Sequence, residues 1–74
     1  MTHTMRGTVT IVQEGRFQLI DDRGVAHLFI LGHAAAAEPA QLAPLGRRQA
    51  RVSVRFTKPP HCIGNVAHSV TLAE

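Results

Sequence analysis

The stretch GRFQLIDDRGVAHLFIL, residues 15–31, decides the fold of this chain. Two apolar runs flank the polar sequence Asp21-Asp22-Arg23-Gly24, which ends in a glycine. A polar turn between two such runs is typical of a β-hairpin. We therefore predict strands over residues 16–21 and 25–31, joined by a short turn of solvated carboxylates.

Three further strands are predicted from the alternation of apolar and polar residues that marks a half-buried strand. They are residues 5–12 (MRGTVTIV), 49–57 (QARVSVRFT) and 65–72 (NVAHSVTL). In the last strand His68 shares the parity of the apolar residues, and after the first strand Gly15 is available for a positive φ. The alternation of the first strand assigns one face to Met5, Gly7, Val9 and Ile11. That of the fourth assigns one face to Ala50, Val52, Val54 and Phe56 and the other to Arg51, Ser53 and Arg55.

The segment between the third and fourth strands, HAAAAEPAQLAPLGRR, predicts one or two short helical turns. Residues 34–38 form one turn, and Pro39 can begin a second that ends by Gly46. Three strands, a short helix and two strands are the order of the OB-fold, a five-stranded Greek-key barrel whose ligand face lies on strands two and three. We predict an all-β, OB-type barrel with one domain over residues 1–74 and a flexible stretch at residues 1–4, since a chain this short forms one core.

The composition limits the classes of function. Eight Lys and Arg against five Asp and Glu give a formal charge of +3, which permits attraction to nucleic acid or to an acidic protein surface. A single Cys excludes an internal disulfide and favours a reducing compartment. The sequence begins without the apolar run of a signal peptide and has no membrane-spanning stretch. We expect a cytoplasmic protein.

Two stretches of the chain resemble the cold-shock domain family. RGTVTIVQEGRFQLIDDRGVAHLFI, residues 6–30, is similar to the family's Gly-x-Val in strand one, Lys-Gly-Phe-Gly-Phe-Ile in strand two and Val-Phe-Val-His-Phe in strand three. RVSVRFTKPPHCIGNVAHSVTL, residues 51–72, resembles its Val-x-Phe-x-Val strand and its final strand. The resemblance covers most of the chain outside the Ala-rich segment, and it implies a barrel that binds single-stranded DNA or RNA.

The resemblance also places the family's aromatic positions on this chain. The first stacking Phe of strand two corresponds to Phe17 and the second to Leu19. In strand three the first Phe corresponds to Phe29 and the following His to Leu31, while Ile11 takes the place of the strand-one Trp. The implied stacking platform is therefore reduced to two rings, at about 1–3 kcal/mol per stacked base.

The leading hypothesis from the sequence is a non-enzymatic module that binds single-stranded nucleic acid. Phe17 and Phe29 stack bases, His27 flanks them, and the phosphates meet Arg16, Arg51 and Arg55. A phosphate backbone can lie along such a basic strand face, which Arg47 and Arg48 precede near the rim. The alternative for these arginines is an ordinary solvated face.

A second hypothesis is that strands two and three form a protein interface or a homodimer. It uses an apolar stripe made of Phe17, Leu19, Phe29 and Leu31. A third possibility is that this stripe is only the barrel core, because apolar residues usually mark the buried face. In that case Ile20, Leu28 and Ile30 still need a place, since both parities of strand three are apolar, and we expect the helical segment or a partner to cover one face.

Metal binding and catalysis have weaker signals. His61 and Cys62, with His33 and His68, are ligand types for zinc or copper, but their spacing matches no closed zinc motif. Asp21 and Asp22 are adjacent on a turn and do not resemble a paired acid and base. We therefore predict no catalytic residues, no metal ligands and no cofactor.

Overall fold

The computed structural model describes residues 2–32, 39–60 and 64–73, and of residues 39 and 40 the backbone only. These ranges contain one helix and five strands. The elements are β1 His3–Gln13, β2 Arg16–Asp21, β3 Ala26–Leu31, α1 Pro39–Arg47, β4 Arg51–Thr57 and β5 Asn65–Leu72. The predicted order of strands and helix is confirmed; the helical turn predicted for residues 34–38 lies outside the described residues.

The strands form a closed barrel in the order β1-β2-β3-β5-β4. β1 is long enough to serve two neighbours, because its first half pairs with β4 and its second half with β2. A short parallel pairing between β3 and β5 completes the closure. The prediction of a small, all-β, OB-like barrel is thereby confirmed.

The N-terminal end of β1 begins earlier than predicted. His3 pairs with Phe56 and Thr4 with Arg55, so the predicted start of this strand at Met5 is two residues too late, while the flexibility expected for residues 1–4 stays a prediction. The ladder with β4 supplies backbone hydrogen-bond partners that the local sequence alone does not reveal.

A β-bulge changes the faces of β1. The register with β2 shifts between Val9 and Ile11, which leaves Thr10 as the extra residue. Val9 is fully buried, whereas Ile11 is 57% exposed and Val12 packs against the core. The predicted shared face of Val9 and Ile11 is therefore wrong beyond the bulge.

A second irregularity lies at His68 in β5. Ser69 pairs with Arg55 and Ala67 with Phe56, so His68 is the extra residue on its strand. Ala67 is fully buried and His68 is exposed. The predicted parity, in which His68 shares a face with the apolar residues, is wrong because of this bulge.

The core fills the barrel with aliphatic and phenylalanine side chains. Its buried members are Val9, Phe17, Leu19, Phe29, Leu42, Val52, Val54, Phe56 and Ala67. Leu42, on α1, is fully buried, so this helix covers the interior that the strands enclose. The inward face predicted for β4 is confirmed by Val52, Val54 and Phe56.

The predicted hairpin turn between β2 and β3 is confirmed. Gly24 has a φ of +81°, a conformation that glycine adopts without a Cβ penalty. The turn before β2 differs from expectation, because Glu14 rather than Gly15 has the positive φ, of +55°.

Candidate binding surfaces

The two phenylalanines predicted to stack bases lie inside the barrel. Phe17 is 1% exposed and Phe29 is fully buried. Their rings stack on each other with centroids 5.2 Å apart, and Phe56 meets Phe29 edge-on at 5.1 Å. The chain has three Phe and no Tyr or Trp. Since all three rings are in the core, the predicted stacking role of Phe17 and Phe29 is wrong.

The apolar stripe proposed as a protein interface is also internal. Leu19 is fully buried between its neighbours, and Leu31 is partly buried against the core. Successive side chains of a strand point to opposite faces. The residues of this stripe point into the closed barrel, so they cannot form an interface on its outside. The interpretation of this stripe as core is the one that the structure supports.

The opposite parity of the same hairpin forms an exposed aliphatic face on the outside of β1, β2 and β3. Its large side chains are Ile11 (57% exposed), Leu28 (47%) and Ile30 (37%). The strand register aligns Ile11, Gln18 and Leu28 in one row across the three strands. We call Ile11, Leu28 and Ile30 the aliphatic face. In the sequence, this face was indicated by Leu28 and Ile30, which make the second parity of β3 apolar as well.

Arg16 lies beside this face, as the outward neighbour of Ile30 on the adjacent strand. Its side chain is exposed, and no ion pair holds it among the described residues. A recess of about 270 Å³ lies here and is lined by Ile11, Gln13, Arg16, Phe17, Gln18 and Leu28. The site combines an apolar surface with one unpaired cation.

His27, predicted to flank the bases, is instead committed to the hairpin turn. Its Nε2 donates to Oδ2 of Asp21 at 2.8 Å. The other carboxylate oxygen of Asp21 accepts the backbone N–H groups of Arg23 (2.9 Å) and Val25 (3.0 Å). The His27 hydrogen bond, followed by that of Val25, lowers the pKa of Asp21 below its ordinary value of 3.8. The Asp21 carboxylate therefore stabilises the turn through these hydrogen bonds and is not the solvated carboxylate that the sequence predicted.

Arg51 and Arg55 are exposed on the outward face of β4, as predicted, but the structure does not bring them to Arg16. Arg55 pairs with Thr4, whereas Arg16 pairs with Gln13. Arg55 and Arg16 thus adjoin opposite ends of β1, whereas Arg51 pairs with Thr8 nearer its middle. The single nucleic-acid site predicted from the sequence divides into two separate surfaces.

Arg6 is a basic residue that the sequence reasoning did not select. It is exposed on β1 and pairs with Ser53, between the positions opposite Arg51 and Arg55. The alternation of β1 could have indicated Arg6 as an exposed basic residue, because Arg6 occupies one of the polar positions of that strand. Its proximity to the arginines of β4 depends on a register between strands that are distant in sequence.

The described residues contain no group of three or more His, Cys, Asp or Glu side chains that could hold a metal ion. His33, His61 and Cys62 of the suggested metal set lie outside the described residues. His68 is described, and its Nε2 lies 3.0 Å from Oγ1 of Thr57. Within the same ranges no helix is long and apolar enough to cross a membrane.

Comparisons of the chain with protein-family models, curated proteins and solved structures found no match. The resemblance to cold-shock domains therefore stays a prediction from the sequence. The candidate sites are the two exposed surfaces of the barrel, one at the aliphatic face and one at the arginines of β1 and β4.

Proposed function

We propose that this small barrel is a non-enzymatic binding module that recognises a protein segment through the aliphatic face. The observation that carries the proposal is the exposure of Ile11, Leu28 and Ile30 on one outer surface, while every Phe is buried. A contiguous exposed apolar patch on a small protein often marks an interaction site. The proposal includes the cytoplasmic location predicted from the sequence.

The chemistry of the surface defines the kind of partner. Protein interfaces are enriched in large apolar side chains and in Arg and are depleted in Lys and carboxylates. Arg16 lies next to Ile30 without an acidic partner among the described residues. The matching segment therefore presents apolar side chains beside an Asp or Glu that pairs with Arg16.

A second copy of the chain fits this surface less well. In a two-fold dimer the same patch faces itself, so a residue near the axis meets its own copy. Such a contact would bring two unpaired Arg16 side chains into one interface, in a chain whose formal charge is already +3. Like charges brought together at an interface cost several kcal/mol.

The nucleic-acid hypothesis loses its aromatic contacts with the burial of Phe17 and Phe29. Base stacking at about 1–3 kcal/mol per base is no longer available to it from these rings. On the β1–β3 surface, Arg16 is then the main remaining contact for a phosphate. The protein-segment hypothesis uses both the apolar residues and the arginine.

Site-specific photocrosslinking tests the proposal. A benzoylphenylalanine replaces Leu28 on the aliphatic face, or Val25, which is 50% exposed on the hairpin turn and serves as the control. We expect residue 28, but not residue 25, to crosslink to a partner peptide that contains apolar residues and a carboxylate. Arg16→Gln in the residue-28 protein should weaken this partner's binding about tenfold or more, since losing an interfacial arginine costs about 2 kcal/mol.

Two outcomes contradict the proposal. Equal crosslinking from positions 25 and 28 would show that the aliphatic face has no preferred partner. Crosslinks that form only between copies of the chain, together with a dimer mass by light scattering, would show that the aliphatic face binds a second copy of the chain and not a segment of another protein. A circular dichroism melt of each variant confirms that the barrel remains folded.

A further inference from the structure

Three arginines lie in a zigzag along the seam between β1 and β4. The register of these strands gives the pairs Thr8–Arg51, Arg6–Ser53 and Thr4–Arg55. Arg6 is therefore the diagonal neighbour of both Arg51 and Arg55, at about 7–8 Å in each case. Arg51 and Arg55 are themselves about 14 Å apart along β4. We call Arg6, Arg51 and Arg55 the arginine seam.

The outward side chains around the seam on β1, β4 and β5 are hydroxyls, whereas on β2 the neighbour of Thr8 is the half-buried Ile20. The hydroxyls on its two strands are Thr4, Thr8 and Ser53, and on β5 they are Ser69 and Thr71, which pair with Arg55 and Ser53. Arg6 and Arg55 have no ion pair among the described residues, whereas Arg51 lies 3.0 Å from Asp22. The surface thus offers guanidinium and hydroxyl donors with one competing carboxylate at its edge.

A recess extends the seam beyond Arg55. It has a volume of about 480 Å³ and is lined by Thr2, Arg55, Thr57, His68 and Ser69. Each lining side chain carries a hydroxyl, an imidazole or a guanidinium group, and none is a carboxylate. The bulge at His68 turns this side chain outward, which places it beside Thr57 at the recess.

We propose that the arginine seam binds successive phosphates of one nucleic-acid strand, independently of base sequence. Arg, Ser and Thr side chains are among the groups that donate hydrogen bonds to phosphate oxygens in nucleic-acid complexes. The seam presents its charges in a zigzag that follows one direction, as the phosphates of a single strand do, and the outward side chains of β1 and β4 along it are arginines and hydroxyls. With all Phe rings buried, the bases receive no aromatic platform. This site is separate from the aliphatic face and does not depend on the proposed function.

Fluorescence anisotropy with a labelled 15-nucleotide oligothymidine tests the seam. Three phosphate contacts on a single strand predict a slope of about −2 in a plot of log affinity against log salt. Arg6→Gln should reduce the slope to about −1.4, and Arg6→Gln with Arg55→Gln to about −0.7. The matched control is Arg23→Gln, which removes the same charge from the hairpin turn and should leave the slope near −2.

The ion pair between Arg51 and Asp22 allows a test in which oligonucleotide binding should become tighter and not weaker. Asp22→Asn removes the carboxylate that competes with a phosphate for Arg51, so binding should tighten. Glu14→Gln makes the same change in net charge on the turn before β2 and serves as the control. Tightening by Asp22→Asn beyond that by Glu14→Gln supports a phosphate contact at Arg51.

Three results would overturn the proposal. The first is no detectable binding at 20 mM KCl, and the second is equal weakening by Arg6→Gln and Arg23→Gln, which would reduce the effect to net charge. The third is displacement of the oligonucleotide by polyglutamate as effective as displacement by unlabelled oligothymidine of equal charge. That result would assign the seam to an acidic protein instead. Thermal melts confirm that each variant is folded.

Discussion

Replacement of Phe29 by Leu separates a core role from a stacking role. The Phe29 ring is fully buried, stacks on Phe17 at 5.2 Å and meets Phe56 edge-on at 5.1 Å. Leu retains an apolar side chain at this position but removes both ring pairs. The variant therefore changes the packing inside the barrel and leaves its outer surfaces intact.

The expected loss follows from these two contacts. Each aromatic pair contributes about 0.5–1.5 kcal/mol beyond buried area, so Phe29→Leu should lower the free energy of unfolding by about 2 kcal/mol. A domain of this size loses about 4–8 °C in Tm per kcal/mol, which predicts a decrease of about 8–16 °C. The loss is a large fraction of the total, since 74 residues correspond to about 4–11 kcal/mol of stability.

Urea denaturation and thermal melts, both followed by circular dichroism, measure this change. Val25→Ala is the control, because Val25 is 50% exposed and should change the unfolding free energy by about 0.5 kcal/mol or less. Oligothymidine binding of the folded Phe29→Leu protein should equal that of the wild type. A Tm unchanged relative to the control, together with weaker oligonucleotide binding, would show that Phe29 is exposed and would refute the burial argument.

Three further predictions concern the barrel itself. Gly7→Ala should destabilise the fold by about 1–3 kcal/mol in urea denaturation, because the new Cβ would lie 2.4 Å from a β2 carbonyl oxygen; Gly15→Ala, whose Cβ has 4.0 Å of clearance, should not. Because the pKa of Asp21 is lowered in the folded state, its contribution to stability is complete above its ordinary value of 3.8 and is lost as pH falls through the folded value. Asp21→Asn should therefore flatten the decline in stability as pH falls through 3.8 and below, whereas Asp22→Asn, on an exposed side chain, should retain the acid-dependent loss due to Asp21. Leu42→Ala should cost about 2–5 kcal/mol, as for other fully buried leucines, and a Tm unchanged by it would contradict the packing of α1 into the barrel.

The hairpin illustrates how much of the fold the sequence predicted. The apolar runs on either side of Asp21-Asp22-Arg23-Gly24 predicted β2 at its observed bounds, and β5 was also predicted at the observed residues. Local chemistry suffices there, because turn residues and alternation act over a few neighbours. The same reasoning failed in β1 and β5 at Thr10 and His68, where one extra residue changes which side chains face inward.

The candidate surfaces could not be predicted without the tertiary structure. In β3 both parities are apolar, so alternation alone could not decide whether Phe29 or Leu28 faces the solvent. Barrel closure decides it, because the interior has room for one parity only and the other becomes the aliphatic face. The arginine seam has the same origin, since the register between β1 and β4 places Arg6 beside two arginines that lie more than 40 residues away in the chain. The sequence by itself determined the elements, their order and the charge of the outer positions; the long-range pairing of strands decided which side chains meet, because neither a register nor a bulge is encoded by nearest neighbours alone.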